Sequence, residues 1–145
     1  MEIKIENLYQ LTLFKAFKYA NIMVVENNPQ ILILVSTKQY IPIEQFKEIF
    51  DEIGQIIKEK NINKLIFDKR TLKVFHQPSM EWYFHWKEEM FDFGLKIYRK
   101  ILPDDDVFCH SVKIAREKIS ADHQKGNLQF MSIEYSKDIK EAIES

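Results

Sequence analysis

Apolar positions along the chain change their spacing several times, and each change marks a predicted element. Two runs, 22–25 and 31–35, are continuously apolar and rich in β-branched residues, with Asn27, Asn28 and Pro29 between them. Asn and Pro favour turns, so these runs predict two antiparallel strands joined by a short loop. Residues 1–20 fit both helical and alternating spacing, and we expect a short N-terminal helix or an irregular arm there.

The clearest helical pattern follows Pro42, whose missing N–H suits the first turn of a helix. Apolar residues recur at spacings of three and four from Ile43 to Ile57, which predicts an amphipathic helix packed on a sheet. The segment Leu65–Phe67 is short and entirely apolar, which indicates an interior parallel strand buried on both faces. Pro78 and Ser79 then open an aromatic-rich helix.

The last third of the chain repeats this alternation of strand and helix. A strand is predicted over 96–102, a helix after the aspartates at 104–106, a bulged strand over 128–133, and a final helix capped by Ser136. The order of elements predicts a single α/β domain over residues 1–145. We expect a mixed, mostly parallel sheet with an N-terminal antiparallel hairpin and covering helices.

Charge and cysteine content narrow the function classes. The chain has 21 basic and 22 acidic residues and a net charge of -1, so no overall field attracts nucleic acid. No segment approaches the ~20 apolar residues of a membrane span. Cys109 is the only cysteine, which excludes an intramolecular disulfide and favours a cytoplasmic protein.

The order of elements and several residues resemble a known class of small domains. A hairpin, an amphipathic helix and the pattern LIFDKR…VF…PS…W are similar to SpoIIAA-like, or STAS-like, domains, and KIYRKILPDD and LQFMSIEYSKDIKEAI fit the later elements. Anti-sigma-factor antagonists of this family carry a phosphorylatable serine at the start of the helix after the central strand. Ser79 is the only hydroxyl in the corresponding turn. Uncharacterised bacterial relatives share a D-x-R strand end and a following Trp, here Asp68, Arg70 and Trp82.

The candidate residues each have a structural and a functional interpretation. Ser79 is either a helix cap or a phosphorylation site at a helix N-terminus. Asp68 and Arg70 would point the same way from an extended chain, as a local ion pair or as part of a strand-end site. Trp82 and Trp86 belong to an aromatic helix stripe that forms core, lines a pocket for an apolar ligand, or meets a partner.

Metal and nucleophile chemistry have little support in the sequence. Four histidines, His76, His85, His110 and His123, are scattered without a ligand pattern, so we expect no metal and no cofactor. Cys109 and His110 are adjacent on a predicted helix and point about 100° apart, so a structural thiol is expected.

The sequence therefore predicts a regulatory or protein-interaction module that is not an enzyme. Its working surface would be the connection from Asp68 to Trp82, with Arg70, His76 and Ser79 as candidate contacts. The alternative is a small apolar ligand or lipid-binding domain that uses the aromatic cluster around Trp82 and Trp86. An enzyme would require Asp68, Arg70 and His76 to converge on one hollow. A homodimer stays open.

Overall fold

The computed structural model describes residues 3–6, 8–122 and 126–145. His123 lies outside these residues, so its interpretation as a surface histidine stays a prediction. The elements are β1 Ile3–Glu6, β2 Tyr9–Ala16, β3 Ala20–Val25, β4 Asn28–Ser36, α1 Ile43–Lys60, β5 Lys64–Asp68, α2 Gln77–Phe91, β6 Ile97–Ile101, α3 Asp106–Asp122, β7 Ser132–Tyr135 and α4 Ile139–Glu144. A single 3₁₀ turn, Asn127–Phe130, precedes β7 in this described part.

The described strands form one sheet whose spatial order follows the chain from β1 to β7. Neighbours from β1 to β4 pair antiparallel, whereas β4, β5, β6 and β7 pair parallel. Helices α1, α2 and α3 occupy the three parallel connections, as such connections require. The predicted α/β fold, with a mixed sheet and an antiparallel N-terminal hairpin, is confirmed.

The helix or irregular arm expected over residues 1–20 is wrong, because β1 and β2 lie there. Strand β2 pairs with β3 in the register Leu11 to Val25, and Leu11 is buried. Leu8, which would belong to the apolar stripe of a helix there, is 93% exposed. The alternating pattern of Tyr9, Leu11 and Leu13 therefore decides the structure, because the edge of β3 offers it a hydrogen-bonding partner.

The segment Leu65–Phe67 lies in the middle of the parallel part of the sheet, as predicted. All five residues of β5 are buried, and Phe67 lies beside Leu34 of β4 and Lys100 of β6. Because side chains alternate along a strand, Leu65, Phe67 and Lys69 share one face of the sheet. Asp68 shares the other face with Ile66.

Two hydrophobic cores cover the two faces of the sheet. The larger core contains the buried stripes of α1, α2 and α3, and that of α3 consists of Phe108, Val112, Ala115 and Ile119. The smaller core lies under α4, around Ile66, Ile139 and Ala142. A cation of β5 or β6 is therefore surrounded by α1, α2 and α3 if it lies on one face of the sheet, and by α4 if it lies on the other.

Two local predictions near the C-terminus are wrong. The 3₁₀ turn replaces the first half of the expected strand, because the Glu88 carboxylate accepts the N–H groups of Asn127 and Leu128. The final helix is capped by Asp138, which accepts the N–H of Glu141 at 2.8 Å, and not by Ser136. Asp is an equally good N-cap residue, and here it directly precedes the helix.

Candidate functional site

The connections after β4 and β5 are joined at the carboxyl edge of the sheet, where ligand sites of α/β proteins cluster. The Ser36 hydroxyl donates to the Asp68 carbonyl at 3.0 Å and lies 2.7 Å from the Thr71 hydroxyl. Thr71 in turn donates to the Lys38 carbonyl at 2.8 Å. The N–H of Lys73 donates to the carbonyl of Gln39. These bonds fix the two connections as one rim.

Behind this rim lies a hollow with a cavity volume of about 50 Å³, which we name the β5 hollow. Its wall is largely aromatic and aliphatic, and Lys69 and His76 from the connection after β5 and Ser79 from α2 add polar groups. The lining residues are Tyr40, Ile41, Phe46, Phe67, Lys69, Leu72, Val74, Phe75, His76, Ser79, Met80, Tyr83 and Phe108. Tyr40 is 37% and Val74 50% exposed, so they mark the mouth of the hollow.

The N-terminus of α2 places His76 and Ser79 in this wall. His76 is the N-cap residue, and its Nδ1 accepts the N–H of Ser79 at 3.3 Å. The same nitrogen lies 2.8 Å from the Ser79 hydroxyl. Ser79 is the third helical residue and is buried. The histidine therefore performs the capping role predicted for the serine, and the serine hydroxyl is directed at the histidine.

Lys69 is the charged member of the wall. It is buried, and its Nζ lies 4.8 Å from the centroid of the Phe67 ring. Within the described part of the chain, the five ion pairs and the side-chain hydrogen bonds do not include it. Burial lowers the pKa of its ammonium group to about 8. Lys69 therefore presents a poorly compensated amine to the hollow.

Asp68 and Arg70 lie away from the β5 hollow. The guanidinium group donates to both carboxylate oxygens of Asp68, at 2.9 and 2.7 Å, and to Glu6 at 2.6 Å. In a flat sheet, four strand spacings would separate β1 from β5 by about 19 Å. The contact with Glu6 therefore shows that the sheet curls. Asp68, Arg70 and His76 do not converge on one hollow.

The two tryptophans have different environments, and neither lines the β5 hollow. Trp86 is buried, packs edge-on against Phe50, and donates from Nε1 to the Phe50 carbonyl at 3.0 Å. Trp82 is half-buried beside Phe46. The two tryptophans therefore mainly form core that joins α1 to α2, and Trp82 is the one of the two that also contributes to the surface.

Two further hypotheses from the sequence concern the Cys109 thiol and metal binding. Cys109 Sγ donates to the Pro103 carbonyl at 3.3 Å. Residues 3–6, 8–122 and 126–145 contain no group of three side chains that would hold a metal ion. Within the same residues, no helix has the length and apolar composition that crossing a membrane requires.

Comparisons with protein-family models, curated proteins and solved structures find no match to this chain. The resemblance to SpoIIAA-like domains therefore stays a prediction from the sequence.

Proposed function

We propose that this protein is a non-enzymatic binding module whose ligand is a small carboxylic acid with an apolar chain. The carboxylate would occupy the β5 hollow beside Lys69, and the chain would leave between Tyr40 and Val74. The single observation that carries the proposal is that buried Lys69 lines an aromatic hollow and has no ion pair within the described residues.

The chemistry of the wall supports an anionic head group. Ligand pockets are mostly apolar with a few placed polar groups, and here those groups are Lys69, His76 and Ser79. An ammonium group has three N–H donors and no acceptor, so a carboxylate is its natural partner. Ion pairing would offset the cost of burying Lys69.

The size of the hollow supports a ligand that is only partly enclosed. A cavity of roughly 150 Å³ holds benzene, whereas the β5 hollow has about 50 Å³. The enclosed part therefore suits a carboxylate and one or two carbons. The exposed residues Tyr40 and Val74 would contact the rest of the chain.

Calorimetric titration with propionate, hexanoate and hexanol tests this proposal. We expect hexanoate to bind more tightly than propionate, because its longer chain buries more apolar surface, and hexanol to bind weakly. Lys69→Met should weaken hexanoate binding about tenfold or more. Lys73→Met is the matched control, since Lys73 is exposed in the same connection. Equal affinities for hexanol and hexanoate would contradict the proposal.

A second candidate function is the regulatory interaction that the SpoIIAA-like resemblance implies. The observation in its favour is that Lys73, Val74, Gln77 and Pro78 are exposed around the mouth of the β5 hollow, so a partner could contact the connection directly. Phosphorylation of Ser79 would require the hollow to open, because its hydroxyl is buried against His76.

A pull-down from the native lysate with wild type and Ser79→Asp tests the regulatory candidate. A phosphorylation switch predicts that the aspartate changes which partner is retained, because it introduces a charge at the α2 N-terminus. Ser79→Asn provides the uncharged control. Failure of all three proteins to retain a partner would remove this candidate and leave the ligand-binding proposal intact.

A further inference from the structure

A second, smaller cavity lies between α2, α3 and the sheet, and cations from three elements line it. Lys100 enters from β6, Lys87 from α2 and Arg116 from α3. The cavity volume is about 20 Å³. We name it the lysine cavity. Its other lining residues are Met80, Phe84, Ile119, Ser120, Leu128 and Ile133, which include no carboxylate.

The two lysines are buried, with exposed fractions of 5% for Lys87 and 2% for Lys100. The Lys87 ammonium lies 4.2 Å from the centroid of Tyr83 and 5.0 Å from that of Tyr98. Rings attract cations but supply far less than an ion pair. The Glu88 carboxylate, next to Lys87 in sequence, is directed at the N–H groups of Asn127 and Leu128. The described residues therefore leave this positive cluster without an ion pair.

The electrostatic potential of the cavity favours negative charge. Burial and the charges of Lys69 and Arg116 lower the pKa of Lys87 to about 7. The pKa of Lys100 is lowered well below its ordinary value by burial and by Lys87, Lys69 and Arg116. Burial is the largest cause of these shifts, and the positive charge of the neighbouring cations, a smaller cause, would attract an anion.

We propose that the lysine cavity is a binding site for a single halide-sized anion, held by the N–H donors of Lys87, Lys100 and Arg116. The size supports this assignment, because a water-sized particle requires roughly 10–15 Å³. Sulfate and phosphate are too large for the cavity. The apolar walls from Met80, Phe84 and Ile119 suit a weakly hydrated anion better than a multiply charged one.

Binding would depend on pH because an anion stabilises the protonated amines. The titratable and charged groups around the site are Lys69 after β5, Lys87 and Glu88 of α2, Lys100 of β6, Arg116 of α3, and the phenols of Tyr83 and Tyr98. Protonation of Lys87 rises as pH falls through about 7. Affinity for the anion should therefore increase in the same direction.

Urea unfolding at constant ionic strength, with sodium gluconate replaced by sodium chloride, tests the site. At about pH 6, we expect chloride to raise the folded-to-unfolded ratio about tenfold, and bromide to act similarly. The effect should fall to about twofold or less near pH 9. Lys100→Met should abolish the chloride effect, whereas the exposed α3 variant Lys118→Met should retain it.

Line broadening of the chloride-35 NMR signal provides a readout on the wild-type protein alone. Excess broadening that bromide displaces and sulfate does not would support the site. Equal stability in chloride and gluconate, together with no displaceable broadening, would overturn it. Hexanoate binding to the β5 hollow would be unaffected by that result, so the two proposals fail separately.

Discussion

The two faces of the parallel sheet both bury cations, but they do so in opposite ways. On the α4 face, Lys64 donates to the carbonyls of Ala142 and Ile143, each at 3.0 Å, and to the main-chain oxygen of Ser145 at 2.8 Å. Arg99 donates to Ser145 and Ser132 and forms an ion pair with Glu134 at 3.0 Å. Both cations therefore complete structural interactions, and Lys64 complements the C-terminal end of α4.

On the α2 and α3 face, Arg116 donates to the Ile133 carbonyl at 3.0 Å, but the buried lysines have no ion pair within the described residues. Lys69, Lys87 and Lys100 are as well buried as Lys64 and Arg99 but contact rings, apolar side chains and one another. Uncompensated buried charge is costly, so stability alone does not explain these lysines. The comparison shows that the α4 face uses these cations for structure, and it supports the proposal that the cations of the opposite face bind ligands.

Methionine substitutions on the two faces provide the largest expected contrast. Lys64→Met and Arg99→Met should each lower the free energy of unfolding by about 3 kcal/mol, because carbonyl groups of α4 and neighbouring strands lose charged donors. Lys100→Met in chloride-free buffer should instead raise it by about 1–2 kcal/mol. Urea unfolding measures all three. A comparable decrease in the free energy of unfolding for Lys100→Met would show that the cations of both faces stabilise the fold, and would contradict this comparison.

Arg70→Met tests whether ion pairing also stabilises the fold at the end of β5. The substitution leaves the buried Asp68 carboxylate without its guanidinium partner and releases β1 at Glu6. We expect a loss of about 2 kcal/mol in the free energy of unfolding. Hydrogen exchange should increase in β1, with Lys73→Met as an unaffected control. Unchanged protection of β1 would show that pairing with β2 holds that strand without the ion pair.

The pH dependence of stability tests the unpartnered face. Unfolded lysines titrate near 10.5, whereas the pKa values of Lys69 and Lys87 in the fold are about 8 and about 7. Between these values the unfolded chain binds more protons. Stability in chloride-free buffer should therefore rise with pH from about 7 to 10, by about 1.4 kcal/mol per pH unit for each proton.

Above about pH 10 the slope should reverse. Burial raises the pKa values of Tyr83 and Tyr98, so the unfolded tyrosines lose protons that the folded ones retain. Replacing Lys69, Lys87 and Lys100 with Met should flatten most of the rising part and leave the reversal, because burial lowers the pKa of all three amines. A flat profile in the wild type would show that these amines titrate normally and would contradict the assignment of an unpartnered face.

The smallest expected effect is at the N-terminus of α2. His76→Ala removes the cap of Ser79 N–H and should lower the free energy of unfolding by about 1 kcal/mol. Ser79→Ala should cost less, since the serine is not the cap. Thermal or urea unfolding of both variants makes the comparison. A larger decrease in the free energy of unfolding for Ser79→Ala than for His76→Ala would show that Ser79, and not His76, stabilises the start of α2.

Much of the fold could be predicted because its determinants are local. The stripe from Ile43 to Ile57, the turn residues between β3 and β4, and the apolar run Leu65–Phe67 each have one spacing that suits them. Strands β1 and β2 were missed because residues 1–20 satisfy two spacings. Only the free edge of β3 decides between them, and that edge belongs to residues elsewhere in the chain.

Of the candidate residues taken from the sequence, two line the β5 hollow. The connection after β5 was located correctly, and His76 and Ser79 line the hollow, whereas Asp68, Arg70 and Trp86 complete other structural interactions. Lys69 and Lys87 were overlooked because lysine is usually exposed. A signal existed for Lys87, which lies four residues after Tyr83 and three before Met90 on the buried stripe of α2.

The sequence by itself determined the alternation of strands and helices and the carboxyl edge where β5 delivers its connection. Both follow from the spacing of apolar residues, because this spacing involves only residues that are close together in the sequence. Only the tertiary structure decided which cations are partnered. That outcome depends on which face of the sheet a strand residue occupies and which helix covers that face. On the α4 face, oxygen atoms accept hydrogen bonds from Lys64 and Arg99. On the α2 and α3 face, Lys100 instead lies near further cations.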